Sequence, residues 1–246
     1  MLFKRSETGG TKDGDTVVAM LAAALRRDIS FGALLPDQKL KIEALRQRYG
    51  GSNHSMRESL RLLSAEGLVE ATAQRGFRVT SATQEDLRDI CLVRGEVEKI
   101  ALGLAIAQGD TAWEGRVVAA HHALGKAERA VAGAPDDLTA LEWDEACRAF
   151  SHALISGCGS PRLMDLHRKF FDQSRRFRLA LLREGRLDFA GRAARRDGLL
   201  QAVLDRQQDR AIALLDADIA ADFGLGAVGA VGAVGGADAS SGPVPG

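Results

Sequence analysis

A chain of 246 residues, 46% hydrophobic and only 5% aromatic, has material for one large core or two modest ones, and its Leu- and Ala-rich profile favours helices packed on helices. No stretch approaches the roughly 20 apolar residues of a membrane span, and the polar start from Met1 to Asp15 has no signal-peptide pattern, so the sequence predicts a cytoplasmic protein without membrane contact. The net charge is zero, yet residues 1–80 carry +4 and residues 81–246 carry −4, an asymmetry that suggests two halves with separate jobs.

The three cysteines, Cys91, Cys147 and Cys158, lack CxxC spacing and are odd in number, which fits free thiols in a reducing compartment better than a disulfide framework. Residues 1–15 lack apolar periodicity and read as a flexible arm. From Thr16, the residues Val17, Met20, Leu21, Ala24, Leu25 and Ile29 recur at helical spacing up to Gly32. Pro36 lies in the following loop. A short helix then carries Ile42, Leu45 and Tyr49 on one face and closes at Gly50-Gly51. Ser52 stands where an N-cap belongs, opening a helix to about Ala65. Strand-like Leu68–Thr72 and Phe77–Thr80 flank Ala73-Gln74-Arg75-Gly76, a hairpin signal.

Beyond this, Thr83-Gln84-Glu85-Asp86 resembles a capping box and opens a long helix through Ala107. Helical patterning continues, with breaks at 108–110, 132–137, 157–161 and 185–188, for about six helices in all. Thr111 with Glu114 gives another capping signal, and Ser160-Pro161 reads as N-cap and first helical residue. The Gly-, Ala- and Val-rich stretch 224–246 has little to pack and reads as a disordered tail.

Within Ser52–Ala65, Met56, Leu60 and Leu63 form an inward stripe. His54, Arg57 and Arg61 lie three and four residues apart and share another face. Ser52, Asn53, His54 and Ser55 form the end of this helix that a DNA groove would meet, Arg57 and Arg61 can reach guanine or phosphate, and Gln74, Arg75 and Gly76 form a wing tip. One basic helix alone is ordinary surface; a basic helix followed by a basic hairpin is a more specific combination.

These residues carry a family resemblance. Gly32-Ala33-Leu34-Leu35-Pro36-Asp37, Gly51-Ser52-Asn53-His54-Ser55-Met56-Arg57-Glu58-Ser59-Leu60, Glu66-Gly67-Leu68-Val69 and Arg75-Gly76-Phe77-Arg78-Val79 resemble the winged helix-turn-helix of GntR-family bacterial regulators. Asp37, Asn53 and Ser55 depart from the family's Gly, Arg and Pro. The family's Arg at the position of Asn53 contacts DNA, so the usual operator sequence does not carry over. Residues 84–223 resemble the all-helical FCD effector domain of the FadR-type branch through Arg94-Gly95-Glu96-Val97-Glu98, Trp143-Asp144 to Phe150, Gly157-Cys158-Gly159-Ser160 and Asp209-Arg210-Ala211, and within that branch they look like regulators that sense short dicarboxylates such as glutarate.

The resemblance implies a mainly α protein: a winged helix-turn-helix of three helices plus a β-hairpin wing over 16–80, and an effector-binding and dimerisation bundle over 84–223. Many such domains hold a metal with one Asp and three His. Aligned here, those positions fall on Cys147, Ser151, Arg196 and Asp218, so no metal and no cofactor is expected, and Arg196 is expected to pair with Asp218. Arginine grips carboxylates bidentately. Arg94, Arg176, Arg178 and Arg196 are therefore the candidate effector-binding residues. His121-His122 cannot chelate together, being about 100° apart on a helix.

The function this implies is a homodimeric transcription regulator, a repressor, that binds double-stranded operator DNA and answers to a small carboxylate. Two alternatives remain: a ligand-independent regulator with a degenerate effector site, and an enzyme tethered to a DNA-binding head. Against the second, no nucleophile–base set and no phosphate loop are legible, and no catalytic residue is assigned.

Overall fold

The structure, a computed structural model, describes residues 10–72 and 76–225. Its amino-terminal part runs α1 (Gly10–Ser30), β1 (Lys39–Leu40), α2 (Ile42–Tyr49), α3 (Asn53–Ala65), β2 (Val69–Thr72) and β3 (Gly76–Val79). The sheet order is β1-β3-β2, antiparallel throughout, with Val69 opposite Val79 and Thr72 opposite Gly76. Strand β1 was not legible in the sequence. It contributes only two residues, with Lys39 opposite Arg78 and Leu40 opposite Phe77, too few for an alternating pattern.

Leu21, Leu25 and Ile29 from α1 meet Leu45 from α2, Met56, Leu60 and Leu63 from α3, and Leu68, Val69, Phe77 and Val79 from the sheet in one closed core. Polar contacts lock the helices together. The Ser59 hydroxyl donates to Ser55 O at 2.8 Å and lies 3.0 Å from Val18 O of α1. The Tyr49 hydroxyl donates to buried Asp28 at 2.6 Å, tying α2 to α1. Gly51 has φ +81, and a Cβ there would stand 2.9 Å from Leu21 and 3.0 Å from the Ser55 hydroxyl, so the tight approach of α3 to α1 requires glycine.

Helix α1 begins at Gly10, so residues 10–15, expected in a flexible arm, are helical. Gly14 argued against a helix there, but a helical glycine costs only about 1 kcal/mol relative to alanine, which the packed helix downstream can offset. Residues 1–9 and the expected tail from 226 onward lie outside the described residues. Gly224 (φ 63) closes the last helix, with Leu225 N bonded to Ala220 O at 2.9 Å.

The second part comprises α4 (Gln84–Gln108), α5 (Thr111–Gly133), α6 (Asp137–Ile155), a 3₁₀ turn (Ser156–Cys158), α7 (Pro161–Arg183), α8 (Phe189–Leu204) and α9 (Gln208–Asp222). Side-chain caps set most starts. Thr83 accepts from Asp86 N, Asp136 and Thr139 form a reciprocal box, and Ser160 caps α7 with Pro161 at its first turn. Asp110, not Thr111, caps α5 by accepting from Trp113 N at 2.7 Å; its carboxylate is the stronger acceptor one position earlier. The α8–α9 break at 205–207 contains neither Gly nor Pro, and Arg206 turns the chain with φ 56.

Trp113, Trp143, Phe150, Phe171, Leu102 and Leu199 lie in a core separate from that of the head. Helix α7 joins the two parts. Gln173 donates to Glu66 O at 3.0 Å, Arg176 donates to Thr80 O at 3.0 Å, and Arg183 donates to Phe31 O; Arg176 also donates to Asp86 of α4 at 2.5 Å. Gly67 (φ +79) abuts Gln173 so closely that a Cβ would fall 2.1 Å from its amide nitrogen. No helix among the described residues is long and apolar enough to cross a membrane.

Candidate nucleic-acid interface and arginine cavity

Helix α3 presents its first turn to solvent. The Ser52 hydroxyl accepts from Ser55 N at 3.0 Å, and the Ser55 hydroxyl accepts from Ser52 N at 2.9 Å, a reciprocal capping box. This differs from the expectation that both serines face DNA: Ser55 is buried and spent on the cap. Ser52, Asn53, His54, Arg57 and Arg61 are exposed. Because the cap uses only some of the helix's free amides, the positive end of α3 remains open to an anion. Arg57 has no ion-pair partner among the described residues, whereas Arg61 pairs with Glu58 one turn away. Asn53 accepts weakly from Arg46 at 3.4 Å, and Arg46 also donates to Gly51 O at 3.3 Å and to Glu43 at 3.0 Å. Arg46 thus stands beside the first turn of α3, a placement with no local signal in the sequence.

Gly76 begins β3, and Gln74 and Arg75 of the expected wing tip lie outside the described residues. Exposed Lys39 and Lys41 flank the sheet. A two-residue strand hides them from pattern reading, and only the pairing of Lys39 with Arg78 brings them to the wing.

In the helical part, all six helices meet around a cavity of about 30 Å³ lined by Arg94, Arg178, Arg192 and Arg196 together with Cys147, Ser151, Phe171, Asp218 and Asp222. Each arginine has an internal carboxylate. Arg94 Nε donates to Glu98 at 2.7 Å, and His167 Nδ1 lies 2.9 Å from the same oxygen. Arg178 donates to Asp144 at 2.9 and 2.5 Å. Arg192 pairs with Asp222, and Arg196 with Glu128, the latter at 2.6 Å through Nη1. The guanidinium carbons of Arg94 and Arg178 stand 4.5 and 4.2 Å from the centre of the Phe171 ring, a cation–π arrangement strengthened by desolvation. Burial alone would raise the Glu98 carboxyl, but Arg94 and His167 outweigh it and hold the group down at about 2. Burial and the neighbouring Asp222 charge push Asp218 up to about 6. Burial pushes the Cys147 thiol up to about 12, so it is protonated and unreactive at neutral pH.

Residues 18–79 match the family described as bacterial regulatory proteins, gntR family, and residues 89–221 match the FCD domain. The chain belongs to the GntR family. It is 36% identical over 194 residues to the HTH-type transcriptional repressor GlaR of Escherichia coli K12, spanning 78% of this chain and 87% of that protein. It is 41% identical over 136 residues to BphR, an HTH-type transcriptional regulator of Paraburkholderia xenovorans LB400, spanning 55% of each. The fold is similar to that of E. coli McbR/YncC (TM-score 0.64, 19% identity, 82% of this chain and 93% of that one). It is likewise similar to a GntR regulator from Rhodococcus sp. RHA1 (TM-score 0.64, 23% identity, 85% and 98%).

This GntR regulator is therefore a DNA-binding transcriptional regulator with an FCD effector domain. The four positions that the family resemblance aligned with metal ligands, Cys147, Ser151, Arg196 and Asp218, do converge on one cavity. Among the described residues, no group of three His, Cys, Asp or Glu side chains is arranged to hold a metal ion.

Two expectations about the FCD arginines need correction. Arg176 does not line the cavity; it faces the GntR head through Thr80 O and bonds Asp86 in the first turn of α4. Residues two apart on a helix point about 200° away from each other, so with Arg178 turned inward Arg176 must face out. Arg196 pairs with Glu128 of α5 rather than Asp218; Asp218 is taken by Arg195 at 2.8 Å, one position round the helix toward α9. Arg192, passed over in the sequence, lies one turn before Arg196 on the same face, a spacing that could have found it.

Proposed function

We propose that this GntR regulator is a cytoplasmic homodimeric repressor whose α3 helices read the two half-sites of a palindromic operator, and whose FCD domain takes a small carboxylate, in the class of short dicarboxylates, at its buried arginines, which weakens DNA binding. The observation carrying the DNA half is the exposed first turn of α3, with Arg57 free of ion pairs among the described residues beside the open helix end. Arg57 and Arg61 supply base-edge or phosphate contacts, while Asn53, His54 and the Ser52 backbone meet the groove floor or its wall. Gln74 and Arg75, from the stretch between β2 and β3, and Gly76 at the start of β3 supply further DNA contacts, and Lys39, Lys41 and Arg46 add positive charge.

Support for the effector half is the convergence of Arg94, Arg178, Arg192 and Arg196 on one buried space. The Arg196 Nε and the Ser151 hydroxyl, both in its lining, have no hydrogen-bond partner among the described residues. Buried polar groups left in that condition cost about 1–3 kcal/mol each, a cost that a carboxylate ligand relieves. Exposed Leu92, Ile100 and Leu104 along α4 (45%, 56% and 38% exposed) provide an apolar face for a second copy. GlaR, the relative that this chain largely covers, is named a repressor.

A second reading, a regulator that no longer senses a ligand, is favoured by one observation: the cavity is only about 30 Å³, room for roughly two waters. Two experiments separate the readings. Gel-shift on the DNA flanking the gene should show salt-sensitive binding that Arg57→Ala weakens; undiminished binding by the variant would remove α3 from the groove. Thermal-shift titration with C4 to C6 dicarboxylates should raise Tm in wild type and less in Arg178→Lys, and a flat response to every acid would favour the ligand-independent regulator.

A further inference from the structure

Outside the arginine cavity, between α5 and α8, lies a second space of about 400 Å³ lined by His121, Arg129, Phe189, Ala193 and Glu128. Arg196 lines both spaces, so its side chain and the Glu128 carboxylate bonded to it form the wall between them. Glu128 is 4% exposed. It meets Arg196 fork to fork, Nη1 on one carboxylate oxygen and Nη2 on the other, and Arg192 Nε approaches at 3.5 Å. This is the geometry in which a free carboxylate ligand docks on a guanidinium.

Glu128 differs from the other internal carboxylates. Glu98 is also held by His167, Asp144 by Arg175 at 2.6 Å, and Asp222 by Arg195 at 3.5 Å. Those second partners anchor their acids whatever happens in the cavity. Among the described residues, Glu128 has only the cavity arginines Arg196 and Arg192, and it sits on the side that faces the outer space. The inner cavity is too small for a multi-carbon acid, whereas the outer space beside Glu128 has the volume.

We propose that Glu128 is a tethered stand-in for the effector's carboxylate: in the unliganded regulator it occupies the Arg196 fork, and a small carboxylate entering between α5 and α8 takes that fork while Glu128 turns outward. The proposal rests on the carboxylate-sensor reading above. It makes Glu128 an internal competitor that sets the concentration at which the regulator responds. It also places the body of the ligand against Phe189 and Ala193, with Arg129 in the same lining for a second anionic end. Removing the competing charge strengthens ligand binding, whereas removing an ordinary pocket residue weakens it.

The test uses the full chain and glutarate, with butyrate as the monocarboxylate and chloride as the ionic-strength control, read by calorimetry and thermal shift. Glu128→Gln keeps the shape and removes the charge. Its Tm without ligand should fall, glutarate should restore it, and its glutarate Kd should be at least tenfold below that of wild type, about 1.4 kcal/mol. Ala193→Trp fills the outer space and leaves the Glu128–Arg196 pair in place; it should lose glutarate binding with little change in Tm. If wild type binds glutarate and Glu128→Gln binds it no more tightly, the stand-in is overturned while the sensor reading survives. If neither protein binds any acid, both fail. A Glu128→Gln chain that stays unfolded at saturating glutarate also overturns the stand-in, as does an Ala193→Trp chain that binds glutarate like wild type.

Discussion

In the DNA-binding head, Arg57 stands on an exposed helix face without an ion-pair partner among the described residues, whereas in the FCD domain Arg178 is 2% exposed and gripped twice by Asp144. The same side chain thus serves two physical purposes. In water an unpaired guanidinium costs nothing and waits for phosphate or a base edge. Inside a bundle it must bring its counter-ion with it, because an unpaired buried charge is expensive. The practical lesson is that a run of arginines such as 168–196 has no single meaning until the partners and the faces are known.

Substitutions can break this contrast, and the largest effect belongs to the buried side. Asp144→Asn leaves Arg175 and Arg178 without their shared carboxylate and should destabilise the chain by about 3–5 kcal/mol, read by chemical denaturation. A loss below about 1 kcal/mol would mean that the pair behaves as if it were exposed.

Next comes pH. The Asp218 carboxyl is raised from its usual 3.8 to about 6 by burial and by Asp222, with Arg192 and Arg195 opposing. Between those two values the folded chain holds more protons than the unfolded one, so this group's contribution to stability is complete below the lower value and is lost as pH rises through the upper one. Wild type should therefore lose stability relative to Asp218→Asn between about pH 4 and pH 6, on the order of 2 kcal/mol. Parallel Tm profiles for the two proteins would contradict the shift.

On the exposed side, Arg57→Ala should cost about 1–3 kcal/mol of operator affinity with stability changed by less than about 0.5 kcal/mol. Arg61 is already paired with Glu58 at a position two-thirds exposed (67%). Its removal should mainly reduce the slope of log affinity against log salt by about 1, and equal losses from both arginines would erase the distinction drawn between them. The smallest effect is expected at the cap. Ser52→Ala removes the hydroxyl that accepts from Ser55 N and should cost about 1 kcal/mol of head stability, with a matching loss of order at the start of α3 visible by amide exchange.

Much of the fold was legible because local rules and global packing agree. The Ser52, Thr83 and Ser160 caps, the stripe of Met56, Leu60 and Leu63, and the turn at Gly50-Gly51 are all written in neighbouring residues. Other features left no local trace. The two-residue β1 exists only because β3 pairs with it, and the 205–207 break depends on Arg206 accepting a left-handed backbone while its guanidinium bonds Ile106 O at 2.5 Å and Gly109 O at 2.8 Å. Arg176 and Arg178 looked equivalent in sequence and face opposite sides of α7.

The sequence by itself determined a winged head, a six-helix domain behind it, and the kinds of side chain each would offer, because periodicity, caps and turn residues act within a few positions along the chain. Only the tertiary structure decided that Arg192 joins the cavity and Arg176 leaves it, and that Asp218 belongs to Arg195 while Glu128 holds Arg196. Those choices couple residues up to 90 positions apart, and which acid a buried arginine takes depends on the rotation of whole helices about their axes, a quantity that no local pattern encodes.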